Sequence, residues 1–587
     1  MIDLKLFWKQ RVLEALEAYR QGQNIQSPEV DPAALVMEFP PKPELGDIGF
    51  PLFGFAKTFK KSPNQIALAL EIWLKNQNEG ISGGSAKAVG PYLNVFYDRP
   101  EIISKILERG SAEGWFDHKP LLGKRVMVEF SCPNTNKPLH LGHLRNNVLG
   151  ESISRILSLA GADVRKVNLI NDRGVHICKS MLAYQVYGGG RTPADEGLKS
   201  DHFVGKYYVM FNALKAEDPK AEEKAQELLR RWEAGDTEVL ALWKTMNSWA
   251  VEGIKATYLR QGVDFDAYYF ESLTYMKGVD EILKGLEQGI FYKEADGSTW
   301  VDLEDIGLDK KVLLRKDGTS LYITQDIGTA IYRHHDWPFD QLVYVVASEQ
   351  QYHFRVLFEI LKRLGHPWAS NLYHLAYGLV NLPSGRMKTR EGTVVEADDL
   401  IEELSGLASQ EIAEKGRDES VGDVAGVSDK IALGAIHYYL LQTSPTKDML
   451  YDPEQSLSFT GNTGPYIQYM GARASSILRK AQQGKGSGSL GTVNPQKLAS
   501  PADWALVRQL LSFSESVEMS AKSMEPSVIA SYAHDLAAEF SSWYRDNPVL
   551  NAEDPDLSAS RIALVAAVKS TLKKVCGLLC VPFLELM

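Results

Sequence analysis

The sequence predicts an α/β protein: a doubly wound parallel sheet split by a helical insertion, with an α+β domain before it and an α-helical bundle after it. Three features point there. A strand, loop, helix, strand unit runs over 125–170 and its pattern resumes after residue 319; the chain between the two halves has helical spacing; and beyond Asp398 the pattern is helical to the end. At 587 residues the chain has room for about four units of ordinary size. Apolar residues at 44% and charged ones at 24% suit a packed core and exclude wholesale disorder. The 64 Lys and Arg against 75 Asp and Glu leave a net charge of −11, which counts against a nucleic-acid surface covering the whole chain. No apolar run approaches the ~18 residues of a spanning helix. The acids among Asp3, Lys5, Lys9, Arg11, Glu14 and Glu17 fit neither a signal nor a transit peptide. Cys132, Cys178, Cys576 and Cys580 are too few for a disulfide framework and form no CxxC pair. These features describe a soluble, cytoplasmic, multidomain protein with no membrane partner.

Taken in order, residues 4–19 space their apolar side chains for a helix. A Pro/Gly-punctuated stretch follows over 40–51, then the basic trio Lys57, Lys60 and Lys61, a helix over 64–75, and Gly83-Gly84-Ser85 leading into a strand over 92–97. With 14 basic and 15 acidic residues, positions 1–120 are nearly neutral and read as a small α+β unit. Residues 126–130 are a short apolar strand. A polar loop, a helix over 142–159 and a strand over 164–170 complete a unit whose strands must pair in parallel through a right-handed crossover. After the insertion, the pattern predicts a helix over 319–334, a strand over 342–347, a helix over 349–364 and a strand over 372–380. The charge run over 215–231 reads as a solvated helix face. In the C-terminal part, 484–489 is a flexible surface loop. A helix over 557–579 carries Cys576 and Cys580 four residues apart, which reads as buried thiols rather than a metal pair.

The chemistry concentrates in the loop after the first sheet strand, Pro133-Asn134-Thr135-Asn136-Lys137-Pro138-Leu139-His140-Leu141-Gly142-His143. Open α/β sheets bind ligands at the carboxyl ends of their strands. This loop also runs into a helix start, whose free N–H groups and dipole favour anions such as phosphate. Gly142 lets a flat base approach the backbone. His140 and His143 can donate to phosphate oxygens whose charge grows during displacement at phosphorus. Two histidines three apart are more often incidental; their place between a strand and a helix start is what makes them a candidate site.

His140-Leu141-Gly142-His143 resembles the HIGH signature of class I aminoacyl-tRNA synthetases and related nucleotidyltransferases. Arg386-Met387-Lys388-Thr389-Arg390 stands where that class has its KMSKS loop, with Arg386 for the first Lys and Thr389 for the catalytic second Lys. Arginyl-tRNA synthetases are similar in often lacking that Lys and in placing one just before HIGH, the position of Lys137. Glu129-Phe130-Ser131-Cys132-Pro133-Asn134, Tyr322-Ile323-Thr324-Gln325-Asp326, Gln350-Gln351-Tyr352-His353-Phe354 and Asn462-Thr463-Gly464-Pro465-Tyr466 also resemble motifs of that family. With Phe540, Tyr544 and the final Met587, the likeness covers nearly the whole chain.

The resemblance implies a Rossmann-like catalytic domain. It also implies ATP-dependent ligation of L-arginine to the 3′ end of its tRNA through an arginyl-adenylate, releasing AMP and pyrophosphate. Activation would need bound tRNA, and Mg2+ would accompany ATP, with no tightly bound metal expected. Lys137, His140 and His143 would stabilise the transition state, Arg386, Lys388 and Arg390 would close on the phosphates, and Gly142 and Met387 would join the histidines at ATP. Glu129, Ser131, Asn134, Tyr322, Asp326 and Gln350 would surround arginine. A guanidinium is a planar fork of five donors that carboxylates accept bidentately. Glu129 and Asp326 are therefore the acceptors to expect, the alternatives being an internal ion pair and a helix N-terminal charge. Lysine, lacking the fork, should be rejected.

The implied division is 1–120 as a tRNA-contacting domain, 121–170 and 301–400 as the catalytic halves, 171–300 as the insertion, 401–455 as a helical connection and 456–587 as the anticodon-binding bundle. The partners would be arginine tRNA, arginine and ATP, and the enzyme a monomer. Lys57, Lys60 and Lys61 could touch phosphates or line a solvated face. Trp543 and Tyr544 could stack on bases, with core packing the stronger reading. A small-molecule nucleotidyltransferase would not need the appended domains, and a silent tRNA-binding paralogue would be expected to have lost His140, His143 or the carboxylates.

Overall fold

The computed structural model describes residues 4–23, 25, 30–38, 40–77, 83–110, 119–383, 395–414, 416, 422–484, 491–550 and 554–587. They form two compact units, one of 1–118, 470–515 and 535–574, the other of 119–469, 516–534 and 575–587.

In the first unit, helix Leu4–Gly22 buries Trp8, Val12, Ala15 and Leu16. Helix Pro63–Asn76 starts on a capping box formed by Ser62 and Gln65, with Pro63 in the first turn. Both helices pack on a three-stranded antiparallel sheet of β1 (Ile48–Pro51), β2 (Ser85–Val89) and β3 (Tyr92–Phe96), with β3 central. β1 lies in the stretch whose prolines and glycines conceal it. Pro51 is tolerated because β1 is an edge strand, where a missing N–H breaks no inner ladder. Lys57, Lys60 and Lys61 are all exposed. Trp543 is buried and donates its Nε1–H to Asp503 Oδ1 at 2.9 Å, so core packing, not base stacking, is its role.

The second unit holds a five-stranded, all-parallel sheet of β4 (Arg125–Glu129), β5 (Asp163–Ile170), β6 (Ala267–Phe270), β10 (Gln341–Ala347) and β11 (Leu372–Tyr377). A separate antiparallel sheet, β7 (Tyr292–Lys293), β8 (Thr299–Val301) and β9 (Lys311–Leu314), precedes β10. The strand order β11-β10-β4-β5-β6 is doubly wound, and it reverses direction between β4 and β10. Val126, Met127 and Val128 are buried in succession, as a strand covered on both faces requires. β6 falls inside the stretch read as helical: four residues rich in aromatics, between helices, carry no alternation to betray them. Between β5 and β6 the insertion is helical, in Val175–Tyr187, Ser200–Glu217, Ala221–Glu233 and Thr237–Gln261, and after β6 it holds helix Lys277–Glu287, β7 and the start of β8. Its charge run is a solvated face: Lys179 and Lys215 pair with Glu222, and Lys224 with Asp218, while Ala221, Ala225 and Leu228 point inward.

Helix Leu141–Leu159 carries the chain from β4 to β5 and lies tight on the strand end. A Cβ on Gly150 would fall 2.1 Å from Phe130 Cγ. The wholly buried Arg145 donates from the same helix to the carbonyls of Gly378, Leu379, Pro445 and Lys447. Because it takes the Gly378 and Leu379 carbonyls, the strand read over 372–380 stops at Tyr377. The chain resumes as β12 (Val380–Asn381), paired with β13 (Met449–Leu450). Cys576 and Cys580 are buried, and burial pushes both thiols up to about 12. Apart from Gly484, the expected loop at 484–489 lies outside the described residues.

Alanine at position 150 would gain about 1 kcal/mol of helix propensity, but it must displace Phe130 or the helix, and overpacking of this kind costs about 1–3 kcal/mol. Gly150→Ala is therefore expected to lower the denaturant midpoint. A midpoint at or above wild type would show that the helix can move off the strand.

Candidate active site

β4 ends at the centre of the sheet, and the chain turns there in a conformation that side chains rarely adopt: Ser131 and Cys132 have φ of +74° and +48°. Three asparagines hold the turn. Ser131 N donates to the Asn146 side chain and Cys132 N to Asn168 Oδ1, while Asn171 Nδ2 donates to the Cys132 carbonyl at 3.0 Å. The Ser131 hydroxyl shares a hydrogen bond with Tyr258 at 2.6 Å, so this predicted arginine contact sits in an internal network. Asn134 is exposed and bridges to Asn171 on the neighbouring strand's extension.

His140 is the N-cap of helix Leu141–Leu159. Its Nδ1 accepts from Gly142 N at 3.1 Å, and His143 Nδ1 accepts from His140 N at 3.2 Å. An Nδ1 that accepts cannot carry a proton, so each neutral ring keeps its hydrogen on Nε2 and can offer it to a ligand. Burial pushes His140 down to about 4, with Lys137 adding to the effect. It holds His143 well below the ordinary range, where His140 and Lys137 act as well. Burial also lowers Lys137, and no ion pair holds it among the described residues. The site thus presents one uncompensated cation beside two neutral donors at a helix N-terminus. The backbone of this element is pinned from outside: Leu141 N donates to Val395 O at 3.1 Å and Ala397 N to Leu139 O at 2.9 Å. A cavity of about 910 Å³ opens beside Lys137 and His140, and Lys179, His202, Lys206 and Lys215 also line it.

The carboxylates gather at the ends of β4, β5 and β6. Glu129 forms an ion pair with the fully buried Arg333 of helix Tyr322–Asp336, so the internal-pair alternative describes its contact in this structure. Burial lifts the Glu129 carboxyl, Arg333 opposes that, and the charge of Asp326 adds to it. Asp326 accepts from His353 Nε2 at 2.6 Å and remains about a third exposed. Glu271, at the end of β6, is a residue the sequence reading missed. Burial pushes its carboxyl up to about 7, Arg173 opposing and Asp172 and Asp326 adding, and no ion pair holds it among the described residues. Asp172 fixes the backbone beside it by accepting from Ser272 N at 2.9 Å and Ser272 Oγ at 2.6 Å. Tyr322, 78% exposed, begins its helix, and Gln350 lies exposed in the turn after β10. The structure therefore brings Lys137, His140 and His143 together, and places both Glu129 and Glu271 in the field of Asp326. Arg386, Met387, Lys388 and Arg390 lie outside the described residues.

A family model described as "tRNA synthetases class I (R), catalytic domain" matches residues 105–452. Models described as "Arginyl tRNA synthetase N terminal domain" and "DALR anticodon binding domain" match 7–97 and 467–587. Fold and catalytic domain are those of a class I aminoacyl-tRNA synthetase. The chain is 55% identical to the arginine–tRNA ligase of Treponema denticola over the full length of both. It is 44% identical to that of Borrelia hermsii over 94% of each. The Thermus thermophilus arginyl-tRNA synthetase shares the architecture with a TM-score of 0.81 at 28% identity, covering 99% of this chain and 100% of that one. The chain belongs to the arginyl-tRNA synthetase family.

His140 should titrate near 4 in a ring-proton NMR titration, against the ordinary 6.5. Its folded pKa lies below the unfolded one. Between those values the unfolded chain binds the proton that the folded site refuses, so this group's effect on stability becomes less favourable as pH falls from about 6.5 towards 4. Titration near 6.5 would show that the ring is not held neutral by burial.

Proposed function

We propose that the protein ligates L-arginine to the 3′ end of its tRNA in two steps at this site. The arginine carboxylate attacks the α-phosphorus of ATP, releasing pyrophosphate, and the terminal ribose hydroxyl of tRNA then displaces AMP from the arginyl-adenylate. The observation that carries the reading is the uncompensated Lys137 beside the Nε2–H donors of His140 and His143 at a helix N-terminus. An anion is what such a place lacks, and charge that grows on phosphate oxygens during displacement is what it would stabilise. Gly142 leaves room for the adenine, and Met387, Arg386, Lys388 and Arg390 complete the nucleotide side.

On the amino-acid side the guanidinium lies between Asp326 and Glu271, the two acceptors not engaged by Arg333. Glu129 supports them from beneath, Tyr322 covers the fork, and Asn134, Ser131 and Gln350 stand around the α-amino and carboxylate groups. Mg2+ arrives with the ATP phosphates. Asp201, His202 and Asp398 come close enough together to suggest a metal site, but Asp398 already accepts from the Lys199 ammonium at 2.7 Å. Residues 1–120 and 456–587 serve the tRNA, and 121–400 the chemistry around the insertion 171–300, with 401–455 linking them. The enzyme acts in the cytoplasm as a monomer; no helix among the described residues is long and apolar enough to cross a membrane.

Pyrophosphate exchange should appear only with arginine and its tRNA together, and exchange absent under every condition would sink the reading. In that assay Lys137→Ala should lower the rate about a hundredfold, the scale of losing one donor to a developing anion, while arginine KM moves little. Burial holds the Glu271 carboxyl up at about 7, and it must be ionised to accept a guanidinium. Arginine KM should therefore rise as pH falls below about 7 in the wild type. In Glu271→Gln it should be raised at least tenfold and lose that pH dependence; an unchanged KM in this variant removes Glu271 from the pocket.

A further inference from the structure

The insertion reaches the His140 element through a clamp of charges. Glu396 forms an antiparallel bridge with His140, and the flanking Val395–Ala397 and Leu139–Leu141 exchange backbone hydrogen bonds at 3.1 and 2.9 Å. The backbone that presents His140 is thus tied to residues 395–397. That short segment is held in turn by His202, near the start of helix Ser200–Glu217 in the insertion. His202 Nδ1 lies 3.0 Å from Glu396 Oε2, and its Nε2 lies 3.2 Å from Asp398 Oδ2. Two ring nitrogens that both face carboxylates must both carry hydrogens, so the ring is an imidazolium. The other groups around it pull both ways: the Asp201 carboxylate favours the charged ring, while the Lys199 ammonium shares Asp398 with it. Lys199 sits 2.7 Å from Asp398 and 3.1 Å from Asp201, and the Thr257 hydroxyl lies 3.1 Å from Asp398, which leaves Glu396 dependent on His202. The hydrogen bonds to Asp398 and then Glu396 push His202 up to about 10 against the opposing effect of burial, so the clamp stays charged at neutral pH.

We propose that His202 is a positioning residue for adenylate formation: by bridging Glu396 and Asp398 it fixes the short segment over 395–398 that holds His140 in place. His202 lies in the insertion rather than in the His-x-Gly-His loop, and it acts through the backbone of its partners. The inference rests on the role given to His140 above. It also predicts a particular kinetic pattern, because an error of about 1 Å in a donor's placement is felt in the chemical step more than in substrate binding.

The test is pyrophosphate exchange with arginine, ATP and arginine tRNA on the full chain, in a double-mutant cycle of H202Q and H140A. Glutamine can reach one carboxylate but not bridge two. H202Q is expected to lower kcat about tenfold with arginine KM within twofold of wild type, and to cost nothing further in the H140A background. Wild-type kcat in H202Q, additive losses in the double variant, or a fall in kcat matched by a rise in KM would each overturn the proposal. Should H202Q not fold, E396Q at the partly exposed end of the clamp is held to the same pattern. If H140A alone leaves exchange at the wild-type rate, the role of His140 fails; if H140A is slow and H202Q is not, only the clamp fails.

Discussion

A guanidinium sealed from water has to be answered by an anion, and the interior of this site is arranged around that requirement at Arg333. The side chain is buried on helix Tyr322–Asp336, and its partner is Glu129, the last residue of the central strand. Removing either member of such a pair leaves a bare charge in a low-dielectric interior, which costs several kcal/mol. The pair therefore locks the end of β4 to the helix that carries Tyr322 and Asp326. Once Glu129 is committed to an internal guanidinium, a second guanidinium arriving as substrate must find other acceptors. Asp326 stands a turn into the same helix, and Glu271, just after the outer strand β6, lies within its field. In the proposed reading, this fixed ion pair sets both the geometry and the remaining charge available to arginine.

The phosphate side follows the opposite logic. His140 and His143 are kept neutral by burial and by the backbone N–H groups that occupy their Nδ1 atoms, so each offers one hydrogen without a full charge. A neutral donor adds little attraction for the ground-state triphosphate and gains most where negative charge grows, which is the differential binding that catalysis requires. Lys137 supplies the full charge. Arg386, Lys388 and Arg390 bring more of it in the proposed reading, from a segment separate from the His140 element in sequence. In that reading the two halves of the site are divided by electrostatics: anionic acceptors for the amino acid, and neutral donors with nearby cations for the nucleotide.

Much of this was legible in the sequence, and what was not has identifiable causes. The first βαβ unit could be read because Val126–Val128 and the helix over 142–159 have clean periods and because Gly161 marks the helix end. β6 and β7–β9 could not, since two to four residues are too few to show alternation. The break after Tyr377 depends on carbonyls taken by Arg145, more than two hundred residues earlier in the chain. Lys137, His140 and His143 were found because they are neighbours in sequence as well as in space. Glu271 was missed for the reverse reason: nothing in Tyr269-Phe270-Glu271-Ser272 distinguishes it from any polar residue after a strand. Only the sheet, by placing β6 beside β5, brings it against Asp172 and Asp326. Glu129 lay within reach of sequence reasoning as a carboxylate at a strand end, but its partner Arg333 did not, because an ion pair across two hundred residues leaves no local pattern.

The insertion changes meaning in the same light. By composition it is a charged helical stretch, and its run over 215–231 is a solvated face whose ion pairs are largely exposed and worth little individually. The charges that matter lie elsewhere on it, at Lys199, Asp201 and His202, where one helix start meets the residues that pin the His140 backbone. Partly buried ion pairs of fixed geometry constrain position far better than exposed ones, because solvent cannot substitute for either partner. A stretch that interrupts the sheet in sequence is then a brace for its catalytic edge in space. The net charge of −11 is compatible with this, since the acids at Asp201, Glu396 and Asp398 answer cations inside the protein rather than repelling a polyanion outside it.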